Sequence, residues 1–187
     1  MTALGWSQIE QLAERYKVAD RKPAYIYTST LKRAILSGQR LATLLRLPET
    51  GIRQTSLLDE IDMGLWSGKL RSEVCTNEVL KEMKRLGRDF LGHGGESHTM
   101  VTERVKQFLD DCLQLSSGVG EVQPLLIAAI THVTAMRCLL YAIGAVGYIR
   151  SQDLAIYNGR TIRVCYHRQS RCWELHGYNI TDLSLSF

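Results

Sequence analysis

The chain has 187 residues, of which 45% are hydrophobic and 22% charged, and its formal net charge at pH 7 is +4. This composition argues against disorder, and the length suits one domain over residues 1–187 better than two. The weak positive charge suits a small anionic ligand, and without a basic stripe it gives no support for a nucleic-acid partner.

The cysteines favour a reducing compartment. They are scattered, odd in number and without a Cys-x-x-Cys pair: Cys75, Cys112, Cys138, Cys165 and Cys172. We therefore expect free thiols in a cytoplasmic protein with no metal and no cofactor. The first residues lack the basic and apolar segments of a signal peptide. Residues 125–149 are mostly apolar, but His132 and Arg137 within them favour a buried strand and helix over a membrane span.

In the first part of the chain, the pattern predicts helices alternating with a strand. Apolar residues at helical spacing predict a helix over residues 7–17. The aromatic and β-branched residues 24–28 follow Pro23 and predict a short strand. Helices are then predicted over residues 31–45, 77–86 and 100–113.

The second part adds more strands. Residues 125–130 form a continuous apolar run, typical of a strand covered on both faces, and a helix is predicted over residues 135–143. Residues 161–166 and 172–176 predict two strands joined by a polar turn. Alternating strands and helices indicate an α/β fold with a largely parallel sheet.

Three residues are candidates for anion chemistry. Arg33 begins the helix after the first strand, where helix N–H groups and a guanidinium suit phosphate oxygens, unless it is a plain surface arginine. Glu60 lies in a Leu-x-Glu-x-x-x-Gly-x-Trp-x-Gly pattern and is either a proton donor to a leaving alkoxide or part of an ordinary acidic loop. His132 ends the apolar strand, where it either stabilises phosphate charge or is a hydrogen-bonded core histidine.

The remaining candidates are weaker. Glu96 and Ser97 end a Gly-Gly-Glu-Ser loop before an apolar helix, and taken alone they are typical of a helix cap. His93 lies in the same loop, which lacks the preorganisation that a nucleophile requires. Three other histidines have a spacing that does not resemble a metal site: His98, His167 and His176.

Four of these segments, in this order, resemble the histidine phosphatase (phosphoglycerate mutase-like) superfamily. They are residues 28–34 (Thr-Ser-Thr-Leu-Lys-Arg-Ala), 58–68, 94–97 and 130–132 (Ile-Thr-His). The resemblance implies a three-layer sandwich around a largely parallel central sheet. It also implies that Arg33 holds a phosphoryl group, that Glu60 is the proton donor and that His132 is the second active-site histidine. Glu96 and Ser97 would border the pocket, and the ligand would be a small phosphorylated metabolite.

The resemblance has one large gap. Residues 2–8 resemble the start of the family's first helix, residues 158–175 its late strand pair and residues 179–183 its terminal segment. The family attacks phosphate with a histidine in an Arg-His-Gly motif that ends its first, central strand, and this sequence has no such triplet. Loss of a central strand predicts two unpaired sheet edges, unless a replacement strand, a rearranged sheet or a partner chain covers them. Alternatively, the protein begins upstream of residue 1.

Three hypotheses about function follow. The first is a degenerate phosphatase fold that binds or transforms a small anionic metabolite with half of the pocket. The second is an active phosphomonoesterase or mutase whose nucleophile is supplied upstream or in an unconventional way. The third is an interaction scaffold that forms oligomers through an exposed sheet edge.

Overall fold

A computed structural model describes residues 1–116 and 125–180, so residues 181–183 of the family-like terminal segment lie outside the described part. The helices are α1 (Ala3–Val18), α2 (Lys32–Leu45), α3 (Arg71–Val74), α4 (Asn77–Leu86), α5 (His98–Ser116), α6 (Val133–Ala142) and α7 (Tyr148–Asp153). The strands are β1 (Tyr25–Thr28), β2 (Ile52–Gln54), β3 (Ile127–Ile130), β4 (Thr161–His167) and β5 (Cys172–Ile180).

The strands form two separate sheets. One is parallel, with the order β2-β1-β3, and the other is the antiparallel hairpin β4-β5. Long crossovers that contain helices connect the parallel strands, as parallel pairing requires. The predicted α/β class with a parallel central sheet is confirmed.

Helices cover both faces of the parallel sheet because successive residues of a strand point to opposite sides. On one face, Ile26 of β1 and Ala128 of β3 pack in a core with α1 and α2. On the other face, Tyr27 and Ile127 pack against a cluster that contains Phe108 of α5. The result is the three-layer arrangement that the resemblance implied.

One expectation about β3 holds only in part. Its apolar run predicted a strand covered on both faces, but Ala129 is exposed, and Ile127 and Ile130 are only half-buried. The reason is that, among the described residues, β3 pairs with β1 alone and therefore forms an edge of its sheet. The β4-β5 hairpin is also partly exposed to solvent, since no residue of β4 is fully buried.

The sequence pattern did not predict several short elements. Strand β2 has only three residues, and α3 and α7 have four and six, so none of them shows a full period of hydrophobic residues. The longer helices lie close to the predicted bounds, and α4 has the predicted bounds of residues 77–86. Within residues 1–116 and 125–180, no helix combines the length and the apolar character needed to cross a bilayer.

Candidate functional site

The candidate site lies where the carboxyl ends of β1 and β3 meet. The backbone N–H of Ser29 donates to the carbonyl of Ile130 at 3.0 Å, which places the residues after the two strands side by side. The hydroxyl of Thr131 donates to the carbonyl of Leu58 at 2.6 Å, and this bond brings in the loop that carries Glu60. Three segments far apart in sequence thus converge on one edge of the sheet, the usual ligand position in α/β folds.

His132 stands at the centre of this edge. It is 9% exposed, and its Nε2 lies 2.7 Å from Oγ of Ser29, which is fully buried. On its other side, Arg33 approaches Nδ1 with Nε at 3.2 Å and Nη2 at 3.1 Å. The imidazole is therefore held from both sides, and Arg33 and His132 form one unit.

These contacts determine the tautomer of His132. A guanidinium can only donate, so Nδ1 must be the acceptor and a neutral ring must carry its proton on Nε2. Nε2–H then donates to Oγ of Ser29, which also accepts the backbone N–H of Leu31 at 3.2 Å. In this arrangement His132 does not act as a base toward Ser29. Its Nε2–H is used in the bond to Ser29, and this bond fixes the orientation of the ring.

The surroundings keep the ring neutral. Burial lowers the pKa of His132 below its ordinary value, and the positive charge of Arg33 lowers it further. Glu60 and Asp59 act in the opposite direction but do not outweigh these effects. With the imidazole neutral, the guanidinium of Arg33 supplies the positive charge that suits an anion here.

Glu60 is held at the N-terminus of α6. Its carboxylate accepts the backbone N–H of Thr134 at 3.2 and 3.3 Å and that of Ile61 at 3.0 Å. His132 is the N-cap residue of this helix but supplies no side-chain cap bond, so Glu60 caps the helix from a distant loop. The carboxylate thereby contacts the backbone of Thr134, which lies two residues after His132 in the chain.

Glu96 and Ser97 have structural partners. Arg104 donates to both oxygens of Glu96, from Nε at 2.8 Å and Nη2 at 2.9 Å, and also to the carbonyl of Leu57 at 3.0 Å. The hydroxyl of Ser97 accepts the N–H of Met100 at 3.2 Å, the expected helix cap. These bonds brace the wall beside the Glu60 loop.

The ionisation of Glu96 follows from these partners. Burial acts to raise the pKa of Glu96, but the hydrogen bonds from Arg104 and from the backbone N–H of Asp62 outweigh it. The net pKa is lowered, so the carboxylate stays ionised and keeps the bidentate pair with Arg104. Glu96 is thus committed to holding the wall and is not available as an acid.

His93 is not in an exposed loop position. It is 3% exposed, its ring packs against Trp66 and Phe90, and its Nδ1 accepts the N–H of Gly95 at 3.0 Å. The adjacent backbone segments approach so closely that a Cβ on Gly95 would meet the carbonyl oxygen of Asp62. Gly64 and Gly95 therefore allow the loops that carry Glu60 and Glu96 to pack closely against each other.

The structure brings Arg33 and His132 into direct contact and places Glu60 at the start of the helix that follows His132. Glu96 and Ser97 lie in the wall beside the Glu60 loop and do not contact His132 in the described hydrogen bonds. Two participants were not singled out as site residues from the sequence. Ser29 positions His132, and Asp59 holds the backbone N–H of Thr30 at 2.7 Å and its hydroxyl at 2.8 Å. Both lie inside the family-like segments, but their roles depend on contacts across about 30 and 100 residues of sequence, which spacing does not reveal.

A family model for the histidine phosphatase superfamily (branch 1) matches residues 1–181. The chain therefore belongs to the histidine phosphatase superfamily. A comparison with curated protein sequences finds no match.

Solved structures of similar fold include a mycobacterial glucosyl-3-phosphoglycerate phosphatase in complex with inorganic phosphate. It has a TM-score of 0.78 and 21% identity, with 100% of this chain and 89% of that chain covered. A phosphoserine phosphatase from Entamoeba histolytica in complex with 3-phosphoglyceric acid has a TM-score of 0.75 and 17% identity, with coverage of 99% and 86%. Bacillus stearothermophilus YhfR has a TM-score of 0.70 and 18% identity, with coverage of 94% and 82%. These likenesses concern the fold.

Proposed function

We propose that this protein is a degenerate member of the superfamily that binds the phosphoryl group of a small metabolite with half of a phosphatase pocket. The observation that carries the proposal is the Arg33–His132 unit at the carboxyl edge of the sheet. Arg33 supplies a guanidinium whose geometry matches phosphate oxygens, and neutral His132 orients this guanidinium through Nδ1. Two structural neighbours hold phosphate and 3-phosphoglyceric acid, which supports an anionic ligand here.

Binding is proposed without phosphohistidine chemistry. The sequence contains no Arg-His-Gly triplet, and His132 already has both ring nitrogens engaged, by Arg33 and Ser29. An imidazole whose Nδ1 accepts from Arg33 and whose Nε2 carries the proton has no free lone pair for attack on phosphorus. In this arrangement His132 positions Arg33 and is not a nucleophile.

Calorimetric titration with inorganic phosphate and with vanadate tests the binding site. Replacing Arg33 by Met should raise the dissociation constant at least about tenfold, since hydrogen bonds to charged groups contribute roughly 1.5–3 kcal/mol. Arg40→Met is the matched control, because Arg40 lies on the same helix and pairs with Glu10. Equal binding by the two variants, or none by the parent protein, contradicts the proposal.

Glu60 favours a second candidate, an active phosphomonoesterase or mutase whose nucleophile is supplied upstream or unconventionally. A binding protein has little need of a carboxyl group beside the anion, whereas a leaving alkoxide needs a proton. Hydrolysis of an aryl phosphate and of a panel of phosphorylated metabolites tests this candidate. Turnover that is lost in both His132→Ala and Glu60→Gln supports it. Absence of turnover in the folded protein, and in a chain extended upstream by an Arg-His-Gly segment, excludes it.

The edge of β3 favours a third candidate, a scaffold that recruits a strand. Exposed Ala129 lies on an apolar strand that, among the described residues, pairs on one side only. Unpaired edges bind other strands through their backbone groups. Sedimentation analysis over a concentration series tests this candidate: a homo- or hetero-oligomer that Ala129→Pro abolishes supports it, and a monomer at every concentration excludes it.

A further inference from the structure

The β4-β5 hairpin gathers metal-binding side chains on one face. Cys165 pairs with Glu174 across the hairpin and His167 pairs with Cys172, and directly opposed residues share a face. In the register of the described hairpin, Leu175 pairs with Val164 and Gly177 with Arg163, so the intervening His176 has no cross-strand partner. At this irregularity in the pairing, the His176 ring lies on the same side of the hairpin as Glu174.

Three side chains converge on a single point of that face. Nε2 of His167 lies 2.9 Å from Oε2 of Glu174, and Nε2 of His176 lies 3.7 Å from the same oxygen. The two imidazole rings stack with centroids 5.9 Å apart at 25°. One ligand atom from each residue falls within 4.8 Å of the other two.

This geometry is close to that of a metal centre. Ligand atoms bound tetrahedrally to one zinc ion at 2.0–2.2 Å lie about 3.3 Å apart, and the two distances to Oε2 of Glu174 lie on either side of that value. All three residues are exposed, so small side-chain rotations are enough to close the triangle. We propose that His167, Glu174 and His176 form a binding site for a divalent transition-metal ion such as Zn²⁺. The site lies on the hairpin and does not depend on the function proposed for Arg33 and His132.

An ion pair alone explains the cluster less well. Exposed ion pairs contribute only about 0–1 kcal/mol, and two protonated imidazoles stacked on one carboxylate would repel each other. A metal ion removes this conflict, because both histidines bind it as neutral rings and the carboxylate supplies the negative charge. Three protein ligands leave a fourth position for water, and imidazole and carboxylate donors together suit zinc and its neighbours.

The sequence did not predict this site, because the three ligands do not follow a familiar motif. His167 is separated from Glu174 by the hairpin turn, and only the strand register brings them together. The spacing from Glu174 to His176 is that of alternate residues on one strand face. A metal site on a hairpin thus becomes visible only when the pairing is known.

Calorimetric titration of the tag-free chain with ZnCl₂ tests the site. The background is a Cys165→Ser, Cys172→Ser chain, so that the thiols on the same face do not contribute. We expect saturable binding of one ion per chain, with the affinity reduced at least about tenfold by His167→Ala and by His176→Ala. Glu103→Gln, which changes an exposed carboxylate on α5, should bind as the background chain does.

A second measurement guards against misfolded variants. Glu174→Gln keeps the shape of the side chain and removes its charge, and circular dichroism verifies that the chain remains folded. Co²⁺ should give the visible absorption of a four-coordinate ion in the background chain and not in folded Glu174→Gln. Absence of one-to-one binding, or equal binding by the background chain and all three ligand variants, overturns the proposal.

Discussion

The carboxylate of Glu60 accepts the backbone N–H of Thr134, so a residue from one loop caps the helix that follows a distant strand. The contact spans 74 residues of sequence and ties the Glu60 loop to the turn that carries His132. A charged acceptor at a helix N-terminus also benefits from the helix dipole. Glu60 therefore has a structural role whether or not it transfers a proton.

This dual role predicts a difference between two substitutions. Glu60→Ala removes the cap and should destabilise the fold by about 1 kcal/mol, the usual effect of losing an N-cap acceptor. Glu60→Gln keeps an oxygen that can accept the Thr134 N–H and should cost about half as much or less. Urea unfolding measures both, and equal losses of stability would show that the cap bond contributes little.

His132 should make the stability of the protein depend on pH. Burial and Arg33 lower the pKa of His132 in the folded state, so as pH falls below about 6.5 the unfolded chain takes up a proton that the folded chain does not. Stability should then decrease on acidification, by at most about 1.4 kcal/mol per pH unit for one histidine.

Urea unfolding at pH values from 7.5 down to about 5 measures this slope. His132→Gln should reduce it without abolishing it, because burial also lowers the pKa of His98, with the same sign. The His98→Gln, His132→Gln double variant should be flatter still, and His176→Gln serves as a control for replacing an exposed histidine. A slope that His132→Gln leaves unchanged would contradict the neutral assignment.

The Glu96–Arg104 pair should stabilise the wall beside the site. Its side chains are 22% and 14% exposed, so solvent screens the bidentate contact only partly. Glu96→Gln should cost about 2 kcal/mol, since it breaks a charge-assisted pair that also holds the backbone of Asp62. The matched control is Glu82→Gln, which breaks an exposed pair with Arg85 and should change the free energy of unfolding much less than Glu96→Gln does.

The pair also has a defined pH window. Because the pKa of Glu96 is lowered in the folded state, its contribution is present above the unfolded value of about 4.3 and is lost as pH falls through the folded pKa. The stability difference between the parent chain and Glu96→Gln should therefore narrow on going from pH 6 to about pH 3. A constant difference over this range would contradict an ionised Glu96.

Close backbone packing at Gly95 should make this position intolerant of a side chain. A Cβ there would lie 2.6 Å from the backbone nitrogen of Gly64, besides meeting Asp62. Gly95→Ala should destabilise the protein by about 2 kcal/mol or more, because backbone atoms must move. Gly147→Ala is the control, since nothing lies within 4 Å of its Cβ position. Thermal unfolding of both variants compares them, and similar midpoints would count against the close approach.

Much of the fold follows from local patterns. The apolar spacing of α1, α2, α4 and α5 is long enough to show a helical period, and β1 is bounded by Pro23 and by the polar residues after Thr28. Strand β2 has three residues and shows no period, so its pairing with β1 depends on the tertiary fold. The apolar run of β3 predicted full cover on both faces, but the cover is only partial. Hydrophobicity does not show that β3 lies at an edge of the described sheet, where Ala129 stays exposed.

For the candidate site too, the sequence predicted the residues but not the contacts between them. Arg33, Glu60 and His132 were identified as candidates because each lies in a family-like segment, and their functional roles stay predictions. The positioning bonds from Ser29 and Arg33 to His132 span 103 and 99 residues, so no local pattern contains them. A sequence does not show which nitrogen of an imidazole carries the proton, because the hydrogen-bond partners of the two nitrogens decide it.

By itself, the sequence determined the superfamily, the α/β class and the positions of the candidate residues, because motif spacing and hydrophobic period are properties of neighbouring residues. The tertiary structure alone decided the neutral tautomer of His132, the division of the strands into two sheets and the convergence of His167, Glu174 and His176. Each of these depends on contacts between segments distant in sequence, and the free energy of such contacts is set by strand register and burial, which a linear pattern does not contain.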